Sequence, residues 1–289
     1  MTVDWMRIPK SRDKNNYKHM KKNEYKYDLG VIGCGKMSGA IISSIPDKYK
    51  IIVSDINKQA LTMFDDEKNI TQTSSNQEVI ENSKYILVAV KPQSAKEVLT
   101  GLDFSGKILI SIMAGISIAS FKDMAKGAKG IVRVMPNINA HIGMSTNAVC
   151  FDGLTKVEER FVGKLVSSFG VSAKIDEDKM DIFTGLAGSG PAFVFKFIKS
   201  MVTAGIECGL SEDLAMSFAA NTVFGSAALI EELSEPNVLE YMDFWIDAVC
   251  SPNGTTIEGV KYLDEMNFED IVKEAVLRSK KRSEELSKK

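Results

Sequence analysis

Two hydrophobic periods divide the chain. Between residues 28 and 175, short apolar runs at 28–33, 51–54, 70–73, 85–90, 107–112, 130–134, 148–151 and 171–175 read as strands. Most are apolar at consecutive rather than alternate positions, which marks strands covered on both faces. Stretches of helical period lie between them, around Ile41-Ile42, over 58–64, after Asn76, over 95–102 and over 157–169. Strands alternating with helices predict a parallel, doubly wound sheet. Beyond Lys179 no run reads as a strand, and helical period continues through 180–187, 191–208, 211–233, 240–249, 255–263 and 269–285. The expected architecture is α/β followed by all-α: a Rossmann-type sheet over 27–178 and a helical domain over 179–289.

Three stretches change this outline. Residues 1–26 are Lys-rich and carry no apolar period; they predict a solvated, disordered extension. Asp4, Asp13 and Glu24 argue against a transit peptide, and Met20 offers an alternative start. Over 211–229, apolar residues surround more of the helix than one buried face needs, which predicts cover by a second subunit and a homo-oligomer. The Gly188-Ser189-Gly190-Pro191 run predicts a sharp break before the next helix.

Composition narrows the function. The chain has 289 residues, is 44% hydrophobic and 26% charged, and has a net charge of -2. That balance is globular and does not favour nucleic acid as a partner. The longest apolar runs read as too short or too interrupted to cross a membrane. Four scattered cysteines and two histidines offer no metal framework and fit a reducing, cytoplasmic compartment.

The first candidate site is the turn after the first strand, Gly33-Cys34-Gly35-Lys36-Met37-Ser38. Gly33 permits a tight turn, Gly35 lets backbone approach a pyrophosphate at the helix N-terminus, and Ser38 fills the third glycine position. Asp55 ends the second strand, where a carboxylate would bond a ribose 2′-OH and repel a 2′-phosphate. It also reads as the cap of the 58–64 helix. Asp55 favours NADH, while the nearby Lys58 keeps NADPH open. Ligands bind beyond the carboxyl ends of such strands. The candidate cofactor rim is therefore Ile32, Gly33, Cys34, Gly35, Lys36, Met37, Asp55, Asn76, Ala89, Val90, Lys91, Pro92, Met113, Ala114 and Asn137, with Asn76 also capping the helix it opens.

The second candidate is Cys250-Ser251-Pro252-Asn253-Gly254-Thr255-Thr256. Pro252 and Gly254 end one helical run, and Thr255 or Thr256 is placed to cap the next. Backbone N–H groups gathered at the positive end of a helix suit a small carboxylate. The same residues also read as an ordinary capped turn.

The chain resembles the pyrroline-5-carboxylate reductases in four blocks that stand in the family's order. They are Val249 to Val260 around this loop, Gly185-Leu186-Ala187-Gly188-Ser189-Gly190-Pro191-Ala192-Phe193, Ala89-Val90-Lys91-Pro92, and Arg133-Val134-Met135-Pro136-Asn137. The resemblance implies reduction of the cyclic imine (S)-1-pyrroline-5-carboxylate to L-proline with NADPH or NADH, without a metal. It implies Thr256 as the catalytic contact to the ring nitrogen, with Ser251, Gly254, Thr255 and Thr256 binding substrate. It also implies dimers through the helical domain, assembled into rings of five. The family usually has a second Gly where Asn253 stands and Thr-Pro where Ile138-Asn139 stand. Asn tolerates the left-handed backbone that a Gly would supply. Three alternatives compete: an imine reductase for another cyclic substrate, a silent dinucleotide sensor, and a β-hydroxyacid dehydrogenase. The last would need a Lys where Val194 stands.

Overall fold

Consecutive buried residues on a strand must part to opposite faces, so apolar runs build a three-layer domain. The computed structural model describes residues 25–232 and 237–287. The 1–26 extension, apart from Tyr25 and Lys26, lies outside them, as do Leu233 and the last two lysines. The chain forms two compact units. One runs through Ser189 and takes back the segment from Arg278 onward; the other is Gly190–Leu277. Sequence period alone had set the division at 178/179.

The first unit contains β1 (Leu29–Ile32), α1 (Lys36–Ser44), β2 (Ile51–Ser54), α2 (Lys58–Leu61), β3 (Ile70–Thr73), α3 (Asn76–Asn82), β4 (Tyr85–Val88), α4 (Ala95–Leu99), β5 (Ile108–Ser111), α5 (Ile118–Met124), β6 (Gly130–Met135), β7 (Ser145–Asp152), α6 (Lys156–Ser167), β8 (Gly170–Lys174) and α7 (Met180–Phe183). One eight-stranded sheet has the order β3-β2-β1-β4-β5-β6-β7-β8. Ile51 and Val53 face one core with Tyr85, Leu87, Ile108 and Ile110. Ile52, Ile86, Val88 and Leu109 face the other with Val79, Leu99 and Phe121.

The sheet is not wholly parallel. β7 runs antiparallel to β6, and every other pair is parallel. The link between β6 and β7 holds only a tight turn over Ile138–Ile142, too short for the crossover that a parallel neighbour needs. A further departure is α5, capped by the Ser117 hydroxyl, which accepts from Ser120 N at 3.1 Å; its seven residues are too short to show a period.

The second unit contains α8 (Gly190–Glu207), α9 (Glu212–Glu232), α10 (Val238–Val249), α11 (Thr255–Glu265) and the first part of α12 (Phe268–Ser287). Gly205 of α8 lies against Ala215 of α9. Only Ala215 and Ala219 of α9 are buried, while Phe218 and Phe224 are 56% and 61% exposed. By length and mean hydropathy alone (21 residues, 1.3), α9 reaches the range of a membrane-crossing helix. Polar Ser217, Asn221, Thr222 and Ser226 break up the run without lowering its average below that level.

The end of α12 also departs from expectation. It reads as a solvated cationic terminus, yet Ser283 is buried and donates to Asp181 Oδ1 at 2.5 Å, and Leu286 lies against Gly115, all within the first unit. The contacting residues are small or single apolar positions among charges, so no hydrophobic stripe announces them.

Candidate active site

The glycine turn after β1 is set by close backbone packing. Gly33 has φ +96°, and a Cβ there would lie 2.9 Å from the Ala89 carbonyl. Only glycine meets both conditions. Gly33 N donates to Ser54 O and Ala89 N donates to Ile32 O, each at 2.8 Å, so β2, β1 and β4 continue into the rim. Gly35 precedes α1, carries no side-chain cap and faces open space, with no atom within 4 Å of a would-be Cβ. The first N–H groups of α1 therefore point into an open cradle at the positive end of a helix dipole. Ser38 is buried and its hydroxyl donates to Gly35 O at 3.0 Å, which fits it to the close-packed third position. Dinucleotide phosphates fit this cradle.

Asp55 is half-buried and accepts two backbone N–H groups, from Cys34 at 2.6 Å and from Asn57 at 2.7 Å. It does not cap α2; Asn57 does, accepting from Gln59 N at 3.1 Å. No ion pair joins Asp55 to Lys58 among the described residues. Likewise Ser75, not Asn76, caps α3. Asn76 Oδ1 accepts from the Ser54 hydroxyl at 2.7 Å. Burial, then the Asp55 charge, pushes the Cys34 thiol up to about 12, so Cys34 is a neutral packing residue. The side chains of Ile32 and Met113 are also in the core, and these positions offer the rim only backbone. Gly35, Lys36, Lys91 and Pro92 are exposed; Met37, Ala89, Val90 and Ala114 are half-buried.

The second unit carries the hydroxyl-rich turn. After α10, Ser251 O accepts from Gly254 N at 2.9 Å, closing a four-residue turn with Pro252 second and Asn253 third. Asn253 has φ +57°, so the left-handed position is kept without a second Gly. A Cβ on Gly254 would lie 2.2 Å from Ser251 Oγ. Gly254 is itself the N-cap of α11, without a side-chain cap. Thr255 and Thr256 are thus inside the helix rather than capping it. Among the described residues their hydroxyls make no hydrogen bond. The N–H of Gly254 is committed to the turn, so the candidate anion donors are those of Thr255 and Thr256, beside the exposed Ser251.

Residues 177–286 match the sequence family described as pyrroline-5-carboxylate reductase dimerisation, and residues 28–115 match one described as NADP oxidoreductase, coenzyme F420-dependent. The pyrroline-5-carboxylate reductase of Aquifex aeolicus is 41% identical over 89% of this chain and 97% of its own. That of Pisum sativum is 35% identical over 90% and 96%. The chain belongs to the pyrroline-5-carboxylate reductase family. Among solved structures, the Streptococcus pyogenes enzyme superposes with a TM-score of 0.80 at 30% identity, covering 90% of this chain and 98% of that one. Pyrroline carboxylate reductase of Plasmodium falciparum, solved with NADP bound, gives 0.80 at 28% identity, covering 92% and 100%.

The reductase is an NAD(P)H-dependent oxidoreductase with a dimerisation domain, and the exposed apolar surface of α9 lies inside that domain. Two side chains near the rim act otherwise than their positions imply. Asn137 is buried, and its amide turns inward: Nδ2 donates to Ala187 O at 3.0 Å and Oδ1 accepts from Asn139 N at 3.1 Å. Arg133 of β6, with its side chain 8% exposed, donates to Glu177 Oε1 at 2.6 Å, and the same oxygen accepts from Ile118 N at 2.8 Å. This strut joins β6, α5 and the segment before α7. A lone Arg inside an apolar strand run is its only sequence signal.

Proposed function

We propose that the reductase transfers hydride to the C=N bond of (S)-1-pyrroline-5-carboxylate, giving L-proline. The observation that carries this reading is the uncapped start of α11, where Thr255 and Thr256 present uncommitted hydroxyls and N–H groups beside Ser251. Ser251 and the N–H groups of Thr255 and Thr256 hold the substrate carboxylate. Each charge-assisted hydrogen bond contributes roughly 1.5–3 kcal/mol, so two or three fix a small rigid ring. The Thr256 hydroxyl accepts from the protonated ring nitrogen and keeps the adjoining carbon electrophilic. A nicotinamide dinucleotide, when bound, supplies the hydride. Gly33, Gly35 and the first N–H groups of α1 hold its phosphates, and Asp55 and Asn76 meet its adenosine ribose.

The test is spectrophotometric. Dinucleotide oxidation on mixing with the imine is expected, with L-proline as product. Thr256→Ala is expected to lower kcat about 10- to 100-fold, the loss of one transition-state hydrogen bond of about 1.4–2.7 kcal/mol, with dinucleotide affinity unchanged. Unaltered kcat in that variant removes Thr256 from the mechanism. For the cofactor we propose NADH, on the strength of the Asp55 carboxylate. A higher kcat/KM with NADPH would overturn that choice.

A further inference from the structure

The Gly188-Ser189-Gly190-Pro191 run does not break the chain. Helix persists from Met180 to Glu207, widened into a π-turn over Thr184–Gly188. Ser189 keeps helical angles (φ -87°, ψ -24°), and its N–H reaches back to Thr184 O at 2.8 Å. Pro191 then stands four residues beyond Ala187. In a helix the Ala187 carbonyl would accept from position 191, and proline has no N–H to give. A carbonyl partly withdrawn from water and left without a donor is destabilising, and such groups find partners elsewhere. Here the partner is the side chain of Asn137, which donates to Ala187 O at 3.0 Å from the end of β6. Its orientation is settled from the other side, because Oδ1 takes the Asn139 N–H at 3.1 Å and Asn137 N donates to Ser145 Oγ at 2.9 Å. A flipped amide would lose both side-chain bonds.

We propose that Asn137 is a positioning residue: its amide replaces the N–H that Pro191 lacks, and so holds the π-turn at the junction where α8 leaves the first unit. That junction falls at Ser189/Gly190, directly after the π-turn. Single π-turns in helices concentrate at functional positions, and the α8 junction is one of two places where the chain passes between the units. The proposal assigns Asn137 to the helical block rather than to the dinucleotide. Its kinetic arm rests on the imine-reductase reading; its exchange arm does not.

The test uses the full chain and four variants: Asn137→Ala, Asn137→Asp, Pro191→Ala, and the double variant N137A/P191A. Hydrogen–deuterium exchange is followed over 184–193, together with NADH binding by fluorescence and steady-state rates on the imine. Asn137→Ala is expected to speed exchange in that segment, and to lower kcat/KM for the imine about tenfold, the loss of about one hydrogen bond. NADH affinity is expected to stay within about twofold. Asn137→Asp keeps the bond to Asn139 but turns a carboxylate toward the Ala187 carbonyl, and should be at least as impaired if the alanine variant is poorly folded. Pro191→Ala restores a backbone donor, so N137A/P191A should recover slow exchange and most of the rate. Unchanged exchange in N137A, failure of Pro191→Ala to recover it, or loss of NADH affinity in step with kcat/KM would each overturn the proposal. If the wild-type chain does not turn over the imine, the function proposed above fails, while the exchange pattern still decides the role of Asn137.

Discussion

Asp55 shows how a single side chain can be placed correctly by sequence and still be misread. Its position at the end of β2 is legible from the spacing after the glycine turn. Its partners are not. Asp and Asn cap helices about equally well, and Asp55 and Asn57 stand two residues apart. The choice falls to Asn57 because the Cys34 N–H, 21 residues away in sequence, takes the Asp55 carboxylate. That bond holds the carboxylate at the end of β2, where the cofactor pose proposed above would bring a 2′-phosphate. Asp55→Asn, which keeps an acceptor for the N–H groups, is therefore expected to raise the NADPH-to-NADH ratio of kcat/KM about tenfold or more; an unmoved ratio would separate Asp55 from cofactor choice. At the serine–threonine turn, Asn253 was readable because few residues other than Gly accept positive φ. The overlap between a Gly254 side chain and Ser251 Oγ was not, since it depends on the folded turn. Gly254→Ala is expected to abolish most imine turnover, with far-UV circular dichroism and dinucleotide binding retained, whereas Asn253→Gly should stay near wild type.

Among the elements, α6 couples a local signal to a distant one. Its capping box, Thr155 with Glu158, joins residues three apart in the chain. Only the fold brings Lys84 and Lys129, which precede β4 and β6, to the same carboxylate at 2.8 and 2.5 Å. Burial pushes the Glu158 carboxyl up, but the hydrogen bonds from Lys129, Lys84 and Thr155 outweigh it and hold it at about 2, against an ordinary 4.5. A depressed carboxyl contributes stability that is complete above the unfolded value and disappears as pH falls through the folded one. The contribution of Glu158 should thus be full above about pH 4.5 and be lost toward pH 2. In urea titrations, Glu158→Gln is expected to be less stable at pH 7 and to approach wild type as pH falls across this window. A constant gap between the two would sink the assignment. The strands themselves were legible because burial on both faces leaves uninterrupted apolar runs; the direction of β7 was not, since run composition carries no polarity.

For the whole molecule, the helical unit does not bury its own surface. α10 has no buried residue and α9 only two, which agrees with a dimerisation domain. We propose a dimer as the unit and a ring of five dimers as the assembly. Phe218→Glu combined with Phe224→Glu is expected to yield monomers by light scattering, with loss of imine turnover but retained dinucleotide binding. Wild-type dimers alone would remove the ring.

The chain's own pattern of apolar and polar residues determined the α/β-then-α architecture, the glycine turn and the serine–threonine loop, because backbone periodicity and turn chemistry act over a few residues. Tertiary structure decided which polar groups meet: Asp55 with Cys34, Asn137 with Ala187, Ser283 with Asp181. A hydrogen bond needs a partner at about 3 Å, and distance through space between residues far apart in the chain is set only once the apolar layers have closed around them.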